Sequence, residues 1–532
     1  MTPTAVAGMA VLLAGLGLLV WVRSRTLLAY FQQEEYDDAR FLRALPRVGL
    51  FDIRATVAAV ALWAVAGLAG WWGALPFLLG AVFALIGWRE MRWRFKKPLA
   101  MTERARRMLL LARGLAVVPV ALVLWHPLWA IAALQALPLA LVGANRLLAP
   151  LQRRINDAYV AEARDRLERL QPVTIGITGS FGKTTVKHIL AELLEAAGPT
   201  FWSRGSINTV LGLTRHIRER LQPAHRFFVA EMGAYGIGSI RRLCDFARPR
   251  FGIVTAVGQA HVERFGSLEA TAQAKSELAA HVVAHGEKVV VTDRVAALPP
   301  FAALRAQAPE KFIVVGEGPD CDLRILDARA DGDDWRVRLA LNHLPDRAPL
   351  ELVLPLLGAH NVMNLALAVA MVSVVAPEIL DKLPRLTPGI AQIPHRLQRK
   401  DAGHGPLVLD DAYNANEDGF LNALEVLRDL ADRRRGRAIL ITPGVAELGG
   451  DHDIVHGRLG RAAGDHCDVI LAIGAERMAA FAGAARGRRA EVHEVATLAE
   501  ARAALAGLHP GAADVVLYEN DLPDLLEERR LL

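Results

Sequence analysis

The sequence predicts a helical membrane domain followed by α/β architecture, and three observations carry that prediction. Five long apolar runs crowd into the first 150 of 532 residues. Further on, Gly176-Ile177-Thr178-Gly179-Ser180-Phe181-Gly182-Lys183-Thr184-Thr185 joins a strand-like run, 173–177, to a helix-like one opening at Val186. Beyond it, strand-like and helix-like runs alternate, the pattern of a parallel sheet with crossover helices.

The apolar runs cover 3–22, 55–72, 74–88, 109–125 and 128–144. Each is near the roughly 20 residues that cross a bilayer as a helix. They concentrate the excess in a composition that is 53% hydrophobic, with a mean hydropathy of +0.25. Residues 23–54 carry six arginines and residues 89–107 carry eight Lys/Arg, whereas the turns near Gly73 and at His126-Pro127 carry none. Basic loops stay on the cytoplasmic side. The expectation is a multi-pass inner-membrane protein, N-terminus outside, with everything after Arg146 in the cytoplasm. No basic residue precedes the first run, which argues against a cleaved signal peptide. Residues 1–150 sum to +9 and the rest of the chain to −3. The positive charge therefore belongs to the membrane face, where it meets anionic lipid headgroups. Nucleic acid is a poor candidate partner. Cys244, Cys321 and Cys467 lie far apart, with neither metal-ligand spacing nor a disulfide framework.

A charged amphipathic helix is expected over 151–169. Strands are expected at 173–177, 227–231, 251–255, 289–292, 407–409, 438–441, 469–473 and 515–518. The proline-rich stretch 377–394 reads as a hinge between two α/β domains. The predicted division is a membrane domain at 1–150, a central domain at 151–385 and a C-terminal domain at 386–532.

A glycine-rich turn between strand and helix, ending Gly-Lys-Thr, is suited to holding a triphosphate. Gly179, Ser180 and Gly182 let backbone N–H groups approach the phosphates. Lys183 neutralises the β/γ oxygens, and the hydroxyl of Thr184, followed by Thr185, suits a Mg2+ ligand. Glu231 ends a neighbouring strand, where a carboxylate is placed to hold that ion. By themselves, His261 reads as a loop histidine and Lys275 as a solvated helix lysine.

Six segments occur in order: Thr178 to Thr185, Glu231-Met-Gly233, Gly258-Gln-Ala-His-Val-Glu-Arg-Phe-Gly-Ser-Leu-Glu269, Ala274-Lys-Ser276, Gly358-Ala-His-Asn-Val-Met-Asn364 and Asp410-Asp-Ala-Tyr-Asn-Ala-Asn416. Over residues 173–474 this series closely resembles the Mur ligase family, and its D-alanyl-D-alanine-adding branch in particular. The resemblance implies a central phosphate-loop domain with a parallel sheet and a Rossmann-like C-terminal α/β domain. It implies that Lys183 binds ATP phosphates, that Thr184 and Glu231 hold a first Mg2+, and that His261 holds a second. Lys275 matches a lysine that the family carries as a carbamate, giving a catalytic set of Lys183, Lys275 and His261 with Lys275 also a metal ligand. Asn361 and Asn364 match a pair near the adenine. Arg396 and Asp411 match C-terminal residues that reach the nucleotide. Asn208 matches a substrate segment, and Tyr413, Asn414 and Asn416 belong to a second one.

Two departures qualify the likeness. Five apolar runs stand where the family has a soluble domain for the UDP-sugar. The family's Lys-Gly-Ser-Arg-like segment is replaced by Leu517-Tyr-Glu-Asn-Asp-Leu-Pro-Asp524, so a basic stretch has become acidic. The expected function is an ATP-dependent amide ligase that works through an acyl phosphate. Its expected partners are a UDP- or lipid-linked cell-wall precursor and an amino acid or dipeptide. A ligase like the poly-γ-glutamate synthases and a catalytically silent membrane scaffold stand as alternatives.

Overall fold

The computed structural model describes residues 2–44, 53–92, 95, 98–258, 267–344, 346–401, 403, 405–413, 416–446 and 448–521. Two compact units emerge, one built on Met1–Ile155 and the other on Asn156–Asp521.

The first unit is helical: α1 (Pro3–Gln33), α2 (Asp38–Ala44), α3 (Ile53–Ala69), α4 (Leu75–Met91), α5 (Glu103–Ala121) and the start of α6 (Trp129–Leu170). All five expected apolar runs fall on helices. Among the described residues, three helical stretches are long and apolar enough to cross a membrane: Pro3–Gln33, Glu103–Leu124 and Trp129–Leu170. Helices α3 and α4 have 17 residues each. At 1.5 Å per residue that is about 26 Å, short of a hydrocarbon core of roughly 30 Å. Three of the five expected runs thus fall on helices of that length and hydropathy, and α3 and α4 are shorter. Helix α1 runs on past the apolar stretch, and Arg23 within it pairs with Glu90 of α4 at 3.2 Å, both side chains 1% exposed. A Cβ on Gly15 would lie 2.0 Å from the Gly80 carbonyl oxygen, so α1 and α4 meet backbone to backbone where only glycine fits. The amphipathic helix expected from residue 151 is not separate. It continues α6 without a break, because Pro150 sits inside the helix rather than ending it.

In the second unit, among the described residues, nine strands form one sheet in the order β2-β3-β1-β4-β5-β6-β7-β8-β9. These are β1 (Val173–Thr178), β2 (Thr200–Trp202), β3 (Phe227–Glu231), β4 (Phe251–Val254), β5 (Lys288–Thr292), β6 (Phe312–Gly316), β7 (Leu323–Asp331), β8 (Asp334–Leu341) and β9 (Leu350–Leu354). Strand β1 pairs parallel with β3 on one side and β4 on the other. The chain passes from β1 to β2 and β3 on one side and then crosses to β4 on the other, so a crevice opens at the C-terminal end of β1, where α/β sheets bind ligands. The expectation of a parallel sheet holds through β7; β7-β8-β9 then turn back as an antiparallel meander. Helix α7 (Lys183–Glu195) and the helix His360–Val375 pack on one face, where Val186, Ile189, Leu190, Leu365 and Val369 join the core. His360–Val375 is apolar nearly all round because it is buried on nearly every side.

The second sheet has the order β10-β11-β15-β12-β13-β14, from β10 (Gln398–Asp401), β11 (Leu407–Asp411), β12 (Ala438–Thr442), β13 (Val469–Ile473), β14 (Glu491–Val495) and β15 (Val515–Glu519). It is parallel except for β10. The tip of the β7–β8 hairpin touches this half of the unit. Arg433 donates to the Gly332 carbonyl at 2.6 Å, and Arg399 pairs with Asp333 at 3.1 Å.

Candidate functional site

The chain leaves β1 at Thr178 and turns through two glycines with positive φ, Gly179 at +154° and Gly182 at +80°. A Cβ on Gly182 would lie 2.6 Å from Asn364 Oδ1, so glycine serves both the left-handed backbone and the close approach of the neighbouring helix. The loop is clamped on its far side: Ser180 N donates to the Ala256 carbonyl at 2.8 Å, and Gly258 N donates to Ser180 Oγ at 2.9 Å. Gly182 caps α7, whose N-terminal N–H groups and dipole face the crevice. Lys183 opens α7, and its ammonium donates to the carbonyls of Gly179 (2.6 Å) and Ser180 (3.3 Å). Desolvation holds its pKa below the ordinary lysine value, against the pull of Glu231. Thr184 and Thr185 follow, both buried.

Strand register sets Glu231 opposite Ile177, beside the loop. Its carboxylate is 1% exposed and well partnered. Oε2 accepts from Thr184 Oγ1 at 3.0 Å and from Lys187 Nζ at 2.9 Å, and Oε1 accepts from Asn208 Nδ2 at 3.4 Å. Asn208 is held in turn, its backbone carbonyl by Gly233 N (2.9 Å) and its Oδ1 by the Tyr235 hydroxyl (3.2 Å). Lys275 lies on the helix Leu268–His285, only 4% exposed. Desolvation, with Lys183 nearby, holds its amine down to about 7. It is therefore not the solvated helix lysine that its own segment suggests.

The expected adenine pair is buried beside the loop. Asn364 Nδ2 donates to Asn361 Oδ1 at 2.8 Å, and Asn361 Nδ2 donates to the Leu357 carbonyl at 2.6 Å. Arg396 stands between two non-glycine residues with positive φ, His395 at +57° and Leu397 at +45°. Such backbone costs on the order of 1 kcal/mol or more per residue and clusters at functional loops. Its guanidinium lies 4.8 Å from the centre of the Tyr413 ring. Asp411 Oδ1 accepts from Leu397 N at 3.2 Å. Burial raises the Asp411 carboxyl to about 6, with Arg396 opposing. Asn416 is occupied locally: it caps the helix Glu417–Arg434, accepting from Gly419 N at 2.7 Å. His261 and Asn414 lie outside the described residues.

Sequence reasoning missed two residues. Lys187, fully buried one helical turn after Lys183, was detectable as a lysine among Val186, Ile189 and Leu190 on the apolar side of α7. Glu519, 1% exposed, faces Asp411 in strand register, and the two carboxyl groups share a hydrogen bond. Burial and Asp411 push its carboxyl well above the usual range.

Residues 177–372 match the Mur ligase middle domain, and residues 395–518 match the Mur ligase, glutamate ligase domain. Together these stretches cover more than half of the chain. The chain belongs to the Mur ligase family. It is 28% identical over 301 residues to the UDP-N-acetylmuramoyl-tripeptide--D-alanyl-D-alanine ligase of Escherichia coli (strain K12), an alignment covering 56% of this chain and 64% of that one. It is 34% identical over 295 residues to the enzyme of the same name from Mycobacterium tuberculosis (strain ATCC 25618 / H37Rv), covering 54% and 56%. The chain thus spans between about half and two thirds of the length of these curated relatives. Among solved structures, MurF from Acinetobacter baumannii superposes with a TM-score of 0.57 at 26% identity, covering 69% of this chain and 77% of that one. MurF from Thermotoga maritima in complex with ADP shares the fold, with a TM-score of 0.57 at 22% identity over 71% and 82% of the two chains. A Mur ligase middle and C-terminal pair of α/β domains is thereby established.

Proposed function

We propose that this Mur ligase family member is a membrane-anchored, ATP-dependent amide ligase of MurF type. It joins a carboxylate on a UDP- or lipid-linked cell-wall precursor to the amine of an amino acid or of D-Ala-D-Ala. The observation that carries the reading is the convergence of Lys183, Thr184, Glu231 and Asn208 at the end of β1, with a desolvated lysine, Lys275, held close enough to Lys183 to feel its charge.

In this reading a carboxylate oxygen attacks the γ-phosphorus of ATP, and ADP leaves. The amine then attacks the resulting acyl phosphate at its carbonyl carbon, loses a proton and expels phosphate. Lys183 and the N–H groups of the loop neutralise the transferring phosphoryl group. Asn361 and Asn364 flank the loop on the nucleotide side, and Asn208 orients the acid. Arg396 and Asp411 approach from the C-terminal domain and help exclude water from the acyl phosphate. The oxygens of Thr184 and Glu231 are hard donors that fit Mg2+, an ion that keeps several waters and takes phosphate oxygens. When bound, Mg2+ supplies charge neutralisation and in-line alignment at the phosphates. Lys275 as an amine is a poor Mg2+ ligand; as its carbamate it offers two oxygens on a long arm. An amine with a pKa near 7 has the neutral fraction that reacts with CO2. His261 is proposed as the ligand of a second ion.

Anchoring is supported by α1, α5 and α6, and by the large apolar side chains that unit one leaves exposed, among them Leu68, Leu110, Val117, Val118 and Trp125. Such a surface is stable only in an apolar surrounding. The test is ADP release by the detergent-solubilised full chain, with D-Ala-D-Ala and either UDP-linked or lipid-linked muropeptide. Stimulation by one of the two is expected. Stimulation by neither sinks the proposal, and stimulation by glutamate alone moves it to the poly-γ-glutamate class.

A further inference from the structure

Lys187 is a fully buried lysine that the chemistry above does not use. It lies one turn into α7, and its ammonium reaches two other elements. It donates to Glu231 Oε2 at the end of β3, at 2.9 Å, and to the carbonyl of Gly205 in the turn that follows β2. The Trp202 ring closes over it, 5.9 Å from Nζ to the ring centre. That turn leads directly to Ser206 and Asn208. Ser206 Oγ lies 3.3 Å from Thr184 Oγ1, and Asn208 Nδ2 reaches the other oxygen of Glu231.

A carboxylate fixed at one oxygen has its plane set. With Oε2 taken by Lys187 and Thr184, Oε1 is the oxygen turned toward Asn208. The same ammonium pins the first residue of the segment that bears Asn208. Its position at the far end is fixed independently, since a Cβ on Gly233 would lie 2.7 Å from Asn208 Cγ. Lysine suits this position because three donors on a compact ammonium can serve two acceptors on different elements.

We propose that Lys187 is a positioning residue that couples the metal-binding carboxylate, Glu231, to the acid-substrate turn at Gly205–Asn208, a role that rests on the ligase reading. Binding a divalent ion and holding Asn208 are then one event rather than two.

The test uses the full chain in detergent and a divalent probe visible by electron paramagnetic resonance. Mn2+ is titrated in the presence of ADP for the parent, Lys187→Met, Asn208→Ala and the double variant. Lys187→Met is expected to weaken the Mn2+ midpoint about tenfold and Asn208→Ala a few-fold. The double variant should be no weaker than Lys187→Met alone, since groups sharing one network are not additive. ADP binding without metal should stay within about twofold of the parent in all four. A midpoint unchanged or tighter in Lys187→Met overturns the proposal, because relief of a competing positive charge would then be the only effect. Strict additivity in the double variant overturns the coupling. Removing the partner of a buried carboxylate can unfold a protein. If Lys187→Met fails to melt cooperatively, Lys187→Arg carries the test: it keeps the charge, its planar fork cannot reproduce both contacts, and a parent-like midpoint overturns the proposal. A parent that shows no Mn2+-dependent ADP binding brings down the ligase reading itself. A parent that binds, with variants that match it, brings down only the coupling.

Discussion

At the end of β3, Glu231 is surrounded by donors: a threonine hydroxyl, a lysine ammonium and an asparagine amide. At the ends of β11 and β15, Asp411 and Glu519 stand side by side in register and hydrogen-bond to each other, with Arg396 as the cation that acts on both. Both are carboxylates at the C-terminal ends of parallel strands, and both are buried. The first arrangement surrounds a carboxylate with three donors, one of them a cation. In the second, burial disfavours ionisation of both groups, and for Glu519 the neighbouring Asp411 adds to it. The C-terminal side carries Glu519 and Asn520, and Asn520 holds left-handed backbone (φ +67°), which asparagine tolerates better than most residues.

The widest gap between the two ends should appear on removing Lys183. Lys183→Ala is expected to cut substrate-stimulated ADP release by on the order of 10^2- to 10^3-fold, the usual cost of losing a preorganised charge donor, with the melting curve unchanged. Undiminished turnover would break the comparison at its phosphate end. Next comes the carbamate. The Lys275 amine is held down to about 7, so its neutral fraction grows as pH rises from 6 to 8. With 13C-bicarbonate, a carbamate carbon resonance should strengthen over that range and vanish in Lys275→Met; a resonance that ignores this substitution removes Lys275 from the metal set. The smallest effect belongs to the carboxyl pair. A carboxyl whose pKa is raised on folding binds more protons folded than unfolded, so its contribution to stability falls as pH rises above the ordinary carboxylate range. Glu519→Gln should therefore melt about 2 °C higher than the parent at pH 8, a shift on the scale of 1 kcal/mol or less. The gap should close toward pH 5. A variant that melts lower at pH 8 would show that Glu519 is ionised there and stabilised by Arg396.

Much of the phosphate side was legible because its signals are local. A strand, two glycines, Lys183, Thr184 and a helix lie within one continuous segment, and Glu231 closes an all-apolar strand. The β7–β9 meander was not legible, since its residues alternate between buried and exposed and form no apolar run. Strand β14 escaped for the same reason at the sheet edge. Lys187 and Glu519 act through partners distant in sequence, so no spacing announces them. The left-handed backbone at His395 and Leu397 leaves no trace in residue type, because neither is glycine or asparagine. Helix α6 reads as two segments because its composition changes from apolar, up to residue 144, to charged and amphipathic from residue 151, while Pro138 and Pro150 sit inside one continuous helix.

The contacts from the β7–β8 tip to Arg399 and Arg433 fasten the two sheets to each other. Arg399 is mostly covered, but Asp333 is 44% exposed, so this ionic contact is worth at most about 1 kcal/mol. An ionic fastening this weak contributes little by itself to holding the two sheets together. It is also screened by salt. Its contribution therefore falls as ionic strength rises, without any change at a residue that touches substrate.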